Sequence, residues 1–266
     1  MTTVKIDNSL KSIYLNVLSE KLNTMHPFLA RIEKTSRDVW GKQIRKFKQK
    51  GCIYMELKSE LKNYYATIEL SEKALRACEH HTLALVNLLN TEFGDLLVKS
   101  KENASKNLFE GIFNDIFGEN DEIYGAKRAN HPFLQAKKME NFGELTEDKL
   151  ADMVQDGTNF IITTYEIARK IRGNDTIELE SGLKCSHFNG IPVISDKNCP
   201  KNTMYLLNTR DFTEHQLCDW MWLEGEDGKI LRKQGNKPIY TATLVKYADI
   251  MCDNPAGQVM LSGVEV

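Results

Sequence analysis

The chain has 266 residues, 41% hydrophobic, 27% charged and 9% aromatic, with only six Pro. This composition is globular and argues against disorder, a collagen repeat or a disulfide scaffold. Lys and Arg total 35 against 37 Asp and Glu, a formal charge of −2 with a pI near 6.3, whereas a protein built to neutralise phosphates is clearly basic.

The length suits one large domain or two modest ones, with enough chain for a substantial core. No stretch approaches the ~18 consecutive apolar residues of a membrane span. The first 20 residues interleave apolar residues with Lys, Asp and Asn instead of forming a signal-peptide core. Cys52, Cys78, Cys185, Cys199, Cys218 and Cys252 show no CxxC spacing, and the adjacent His80 and His81 follow Glu79 in a helical pattern. Zinc wants close-set soft ligands, so the thiols are expected to be reduced and mostly buried, in a cytosolic setting, with no metal or cofactor.

In chain order, Leu10, Ile13, Tyr14, Val17, Leu18, Leu22 and Met25 recur at helical intervals, with Asn8 and Ser9 as caps and Pro27 as a stop. This amphipathic helix either docks on the chain's own core or meets another subunit. A short turn follows around Phe28 to Ile32. Residues 37–50 carry six basic residues and one acidic, a net of +5. The alternation of Tyr64, Ala66 and Ile68 makes 51–70 read as a strand, so the two limbs form a polar hairpin. A lone hairpin is marginal in water and needs outside support.

From Ser71, a plausible N-cap, the period changes to 3.6 through Leu75, Leu85, Leu89, Phe93 and Leu96. The pattern predicts one long helix to about Ser105, roughly 50 Å at ~1.5 Å per residue. Residues 110–122 then hold five acidic residues and no basic ones. Further on, a short helix is predicted over 148–154, a buried strand over 159–163 and a helix over 165–171. Strands follow over 176–179, 183–188, 191–194, 203–207, 238–251 and 258–264.

The sequence contains no GxxxxGK[ST], GxGxxG, HExxH or GxSxG motif. Glu226 and Asp227 sit on a Gly-flanked turn and read as solvated surface. His187 and His215 lack a nucleophile nearby in sequence, and Trp220-Met221-Trp222 reads as alternating strand packing. An exposed amphipathic terminus, a hairpin without support and an overlong helix describe a subunit completed by its neighbours.

The segment FNGIPVISDKNCPKNTMYLLNT, with Phe188, Gly190, Pro192, Val193, Asp196, Pro200, Leu207 and Asn208, resembles a segment of tailed-bacteriophage major capsid proteins. The preceding NFIITTYEIARKIR, the closing KYADIMCDNPAGQVMLSGV and the upstream KNYYATIELSEKALRAC resemble other parts of that family in the same order. The resemblance implies the α+β phage capsid shell fold. On this chain it implies an N-terminal arm at 1–36, an extended β-hairpin loop at 37–68, a peripheral domain with a spine helix at 69–122 and 237–266, and an axial domain at 123–236.

It further implies a structural subunit, not an enzyme, that self-assembles through hexameric and pentameric capsomers into an icosahedral shell around double-stranded DNA. The shell would assemble in a bacterial host's cytoplasm and end as the virion capsid, with a portal and a separate scaffolding protein as partners and no membrane. The same fold serves cellular nanocompartments that load protein cargo, and a different class of reading is a small soluble hydrolase using Asp196 or His187. Lys42, Arg45, Lys46, Lys48 and Lys50 are candidates to contact Glu110, Asp115, Glu119, Asp121 and Glu122 of a neighbour, on charge alone. Some members of the family weld neighbours by a Lys–Asn isopeptide bond. No local pattern marks such a pair here, so no crosslink is expected.

Overall fold

A computed structural model describes residues 6–8, 10–36, 39–50, 53–78, 81–171, 176–179 and 182–266. Ser9, Arg37, Asp38, Cys52, Glu79 and His80 lie outside the described residues, as do the side chains of Ile13 and Lys50. In chain order, a π-helical turn at Leu10–Tyr14 leads into α1 (Leu15–Thr24). Strands β1 (Glu33–Thr35), β2 (Val39–Trp40), β3 (Gln43–Lys50), β4 (Ile53–Glu60) and β5 (Lys62–Ser71) follow. Helices α2 (Glu72–Ala77) and α3 (Thr82–Asn107) come next, and a π-helical segment Leu108–Phe113 runs into α4 (Asn114–Phe117).

The second half opens with β6 (Glu122–Ile123), β7 (Ala126–Lys127), β8 (Lys137–Met139), β9 (Gly143–Glu144), α5 (Glu147–Met153), β10 (Phe160–Thr163) and α6 (Tyr165–Ile171). It continues with β11 (Ile177–Glu178), β12 (Lys184–Phe188), β13 (Ile191–Ser195), β14 (Thr203–Leu207) and β15 (Phe212–Trp222). The chain closes with β16 (Arg232–Lys233), β17 (Ile239–Cys252), β18 (Val259–Ser262) and β19 (Val264–Glu265).

The chain divides into two compact units. The first takes Met1–Met25, Leu61–Asn103 and Gln216–Ala248. Here β5 pairs antiparallel with β17, from Lys62 opposite Ala248 to Ser71 opposite Ile239. Ala66, Ile68 and Leu70 alternate onto the buried face, where they meet Leu75, Leu89, Phe93 and Leu96 of the helices. The N-terminal helix docks on this same core through Leu10, Leu18 and Leu22, and Trp222 Nε1 donates to the Leu10 carbonyl at 3.0 Å. Of the two readings left open by the sequence, the chain's own core is the one the structure adopts.

Two sequence expectations are corrected here. The limb 51–70 is two strands: β4 closes the hairpin, and β5 belongs to the sheet because its period-2 apolar face needs burial. The single helix expected over 71–105 is broken at Cys78, a C-cap residue outside helical geometry, and its second part runs on into α4. Ser71 caps α2 as expected, its side chain accepting from Ala74 N at 3.1 Å.

The second unit takes His26–Glu60, Ala104–His215 and Asp249–Val266. Its seven-stranded sheet has the order β11-β12-β13-β10-β14-β18-β8, with parallel pairs at β13–β10 and β18–β8. Asn189 and Gly190 both have positive φ, at 50° and 81°, and close the β12–β13 hairpin, so the motif glycine is a turn requirement. Under the sheet, Leu145, Leu150, Ile161, Ile167, Val193, Leu206 and Leu261 form one core. Phe28 anchors a second, with ring centroids of Phe113, Phe160 and Phe212 at 5.7, 5.9 and 5.0 Å. Edge-to-face packing of this kind adds to simple area burial.

Candidate functional site

The basic hairpin lies in the second unit, and its register decides what each side chain does. Strands β3 and β4 pair from Gln43 opposite Glu60 to Lys50 opposite Ile53. Directly opposed residues share a face. Ile44, Met55 and Leu57 therefore fall together on one face, where they are buried, in company with Lys46, Lys48 and Ser59. That face is held by the unit's own groups. Lys46 Nζ reaches Asp253 Oδ2 at 2.8 Å, Lys48 Nζ donates to the Asp253 carbonyl and Ser59 Oγ donates to Asp249 Oδ2. Lys58 N donates to the Tyr124 carbonyl at 2.7 Å, and Tyr124 Oη in turn accepts from Cys252 N. The expectation of a hairpin without support from its own chain is corrected: its inner face carries enough apolar area, and two anchored lysines, to seat it.

The outer face is different. Phe47 is 58% exposed and Tyr54 67% exposed, their rings stacked at 5.9 Å and 15°. Trp40 on β2 is equally exposed. Lys42 and Arg45 are exposed, Arg45 bonding Gln43 Oε1 at 2.9 Å and lying 3.9 Å from Glu56. Stacked aromatics rimmed by cations are an adhesive face with no covering in the unit described.

Of the acidic candidates, Glu110, Glu119, Asp121 and Glu122 are exposed and Asp115 is half-buried. The tract is one side of an amphipathic helix, because Phe109, Ile112, Phe113, Ile116 and Phe117 turn inward. Arg128 closes the helix end, donating to the Ile116 carbonyl at 2.8 Å, to Leu134 at 3.1 Å and to Asp115. Glu119 and Asp121 line a cleft of about 470 Å³ with Lys127, Arg128 and Gln135. The structure thus sorts the basic candidates: Lys46 and Lys48 are engaged with Asp253, while Lys42 and Arg45 face outward.

Asp196 of the capsid-like segment is a hub within the second unit. Oδ1 accepts from Ser105 Oγ at 2.6 Å and Asn198 N at 2.8 Å, and Oδ2 lies 3.1 Å from His26 Nε2. Phe28 N donates to His26 Nδ1, so Nε2 carries the proton and donates to Asp196. Burial pushes the Asp196 carboxyl up, but the hydrogen bonds from His26, Ser105 and Asn198 outweigh it and hold the group below its ordinary value. Three donors engage this carboxylate, whose side chain is 10% exposed. His187 accepts from Gly190 N inside its hairpin turn. Asn208, the motif's last residue, is tied by its backbone N to Gln258 Oε1 at 2.9 Å.

The remaining motif candidates are structural. Trp222 is buried and Met221 exposed, as strand alternation requires, and Asp227 pairs with Lys229 at 2.9 Å on the surface. Cys185, Cys199 and Cys252 are buried thiols, and burial pushes Cys199 up to about 12. Among the described residues no group of His, Cys, Asp and Glu is placed to hold a metal, and no helix is long and apolar enough to cross a membrane. Sequence reasoning missed the Phe47–Tyr54 pair and the anchor Asp253. The position of the hairpin turn would have put both rings on one face.

No family model and no curated protein matches the sequence. Solved structures do match. The capsid of cyanophage A-1(L) aligns at 13% identity over 92% of each chain, with a TM-score of 0.63. A virus-like particle from Pyrococcus furiosus aligns at 14% identity over 97% of this chain and 100% of its own, with a TM-score of 0.59. The SrpI encapsulin of Synechococcus elongatus PCC 7942 aligns at 14% identity over 91% and 89%, with a TM-score of 0.52. The chain carries the α+β shell fold of tailed-phage capsid proteins, a fold it shares with an encapsulin.

Proposed function

We propose that this chain is a major capsid subunit, which self-assembles into a closed icosahedral shell around the double-stranded DNA of a tailed phage. The observation that carries the reading is the full-length fold match to shell proteins, nine-tenths of both chains in the phage case. The uncovered aromatic face of the hairpin supports it, because contiguous exposed apolar surface marks an interaction site. The function is mechanical. Many weak contacts repeated around a symmetric shell sum to a stable particle, although each exposed ion pair contributes only ~0–1 kcal/mol. A net charge of −2 suits a container that confines DNA without gripping it.

In this reading residues 1–36 form the arm, the β3–β4 hairpin within 37–68 is the extended loop, and 69–122 with 237–266 and 123–236 are assigned to the peripheral and axial domains. A portal and a separate scaffolding protein complete the assembly in the host cytoplasm. The encapsulin match favours a second reading, a nanocompartment enclosing protein cargo. Electron microscopy of the purified chain tests the first claim: closed shells, rings or tubes are expected, and a persistent monomer under all assembly conditions refutes it. Particles isolated from the native host then separate the two containers by content, DNA with a portal vertex or packed protein.

A further inference from the structure

In the first unit, the turn that follows β16 stands beside the start of α2, where Glu72 N donates to the Pro238 carbonyl at 2.8 Å. Residues 71–78 and 225–240 together hold six cations, Lys73, Arg76, Lys229, Arg232, Lys233 and Lys237, against three acids. That is a net of +3 in a chain whose formal total is −2, and all six cations are exposed. Two of the acids are already engaged. Glu72 takes Arg76 and, at 3.3 Å, Lys233, while Asp227 pairs with Lys229 at 2.9 Å and accepts from its backbone N at 3.2 Å. Glu224, just before this loop, is paired with Lys11 at 3.0 Å. Lys73, Arg232 and Lys237 have no acid partner among the described residues, and the one bond of the Arg232 guanidinium there is a long one, 3.4 Å to the Leu223 carbonyl. A cleft of about 660 Å³ is lined by Lys229, Arg232 and Lys233 together with Glu226, Leu231 and Tyr240. Gly225 N closes the loop onto the Lys229 carbonyl at 2.8 Å, so the backbone fixes this cationic wall.

We propose that this surface is the first unit's contact for the phosphate backbone of duplex DNA. The identity of the ligand rests on the container reading above, and the surface itself rests on its unpaired charge. A duplex presents one negative charge per ~1.7 Å of its axis, so cations drawn from two neighbouring segments can meet successive phosphates. Arg232 offers a planar fork that matches two phosphate oxygens, and Lys73 and Lys237 act as point charges. Leu231 and Tyr240 carry no group in the cleft that distinguishes one base edge from another, so the contact positions DNA without reading its sequence. The whole chain remains acidic, which keeps the hold of each subunit weak and sensitive to salt.

The test is fluorescence anisotropy of a short labelled DNA duplex titrated with the purified full-length chain over a series of KCl concentrations. Three unpaired cations give a slope of log affinity against log salt near −3, a loss of about 40-fold between about 50 and 200 mM. Arg232→Ala/Lys237→Ala should bring the slope to about −1, a loss of about 3- to 4-fold over the same range. Both side chains are exposed, so the melting temperature of this variant should match the wild type. Lys42→Ala/Arg45→Ala, on the hairpin of the second unit, should keep the wild-type slope. No binding by the wild type at low salt overturns the proposal, as does an unchanged slope in Arg232→Ala/Lys237→Ala. Displacement of the duplex by inorganic phosphate too dilute to alter the ionic strength also overturns it, by revealing a small-anion pocket. Displacement by a peptide of residues 110–122 at equally low concentration assigns the surface to a second copy instead. The measurement needs no shell: closed particles without DNA affinity remove this contact alone, and DNA affinity without closed particles removes the container alone.

Discussion

Asp196 gathers donors from two distant stretches of chain, His26 and Ser105, and from its near neighbour Asn198. Replacing it with Asn puts an amide where two donors already point, so Asp196→Asn should cost about 2–4 kcal/mol, read as a lower urea midpoint. The pH dependence has a definite sign. The folded carboxyl titrates below its ordinary value near 3.8, so the unfolded chain binds the proton first. Its contribution is complete above that value and is lost as pH falls through the lower folded pKa. The acid limb of the wild-type stability profile should be steeper than that of Asp196→Asn, and parallel limbs would show that the network contributes nothing. In the sequence Asp196 was legible as a motif residue. Its partners were not, because His26 and Ser105 lie 170 and 91 residues away and no local pattern announces them.

At the level of elements, the short strands of the second half were readable because Gly, Asn and Pro turns bound them closely; the edges of 191–195 and 203–207 fall within a residue of expectation. The 110–122 tract was read by its charge. Its LFxxIFxxIF spacing, which buries Phe113 and Phe117, was the stronger signal and extends the helical run. The hairpin was found, but its two faces could not be separated without the register. That separation yields a prediction. Phe47 and Tyr54 contribute little to the subunit because both are exposed, so Phe47→Ala/Tyr54→Ala should leave the urea midpoint within about 0.5 kcal/mol of wild type. Particle yield by size exclusion should nonetheless drop severely. Wild-type yields from the double variant would remove the outer face from the assembly surface.

For the whole molecule, the proposed charge pairing between copies narrows to fewer candidate groups. Lys46 and Lys48 hold the hairpin to its own unit through Asp253, so reversing them would disturb the subunit as well as any contact between subunits. Lys42 and Arg45 are the better probe. Lys42→Glu/Arg45→Glu should leave the melting temperature nearly unchanged and slow shell formation, and a charge-reversed partner at Glu119 and Asp121 should restore it. Normal assembly kinetics in the first variant would remove the acidic tract as a partner. The fold class was legible because four ordered segments resemble shell proteins. The self-support of the arm and hairpin was not, since it depends on tertiary contacts between residues 190 and 212 positions apart.

The segmented make-up of both units also sets a timetable for biosynthesis. The first unit cannot close until Gln216–Ala248 has left the ribosome to receive Met1–Met25, and the second awaits Asp249–Val266. The nascent polypeptide therefore carries Leu18, Leu22 and Phe28 uncovered until those distant segments emerge, and closing each unit is a late event dominated by distant pairings. The apolar surface left open in the meantime makes such a chain a natural client for chaperones.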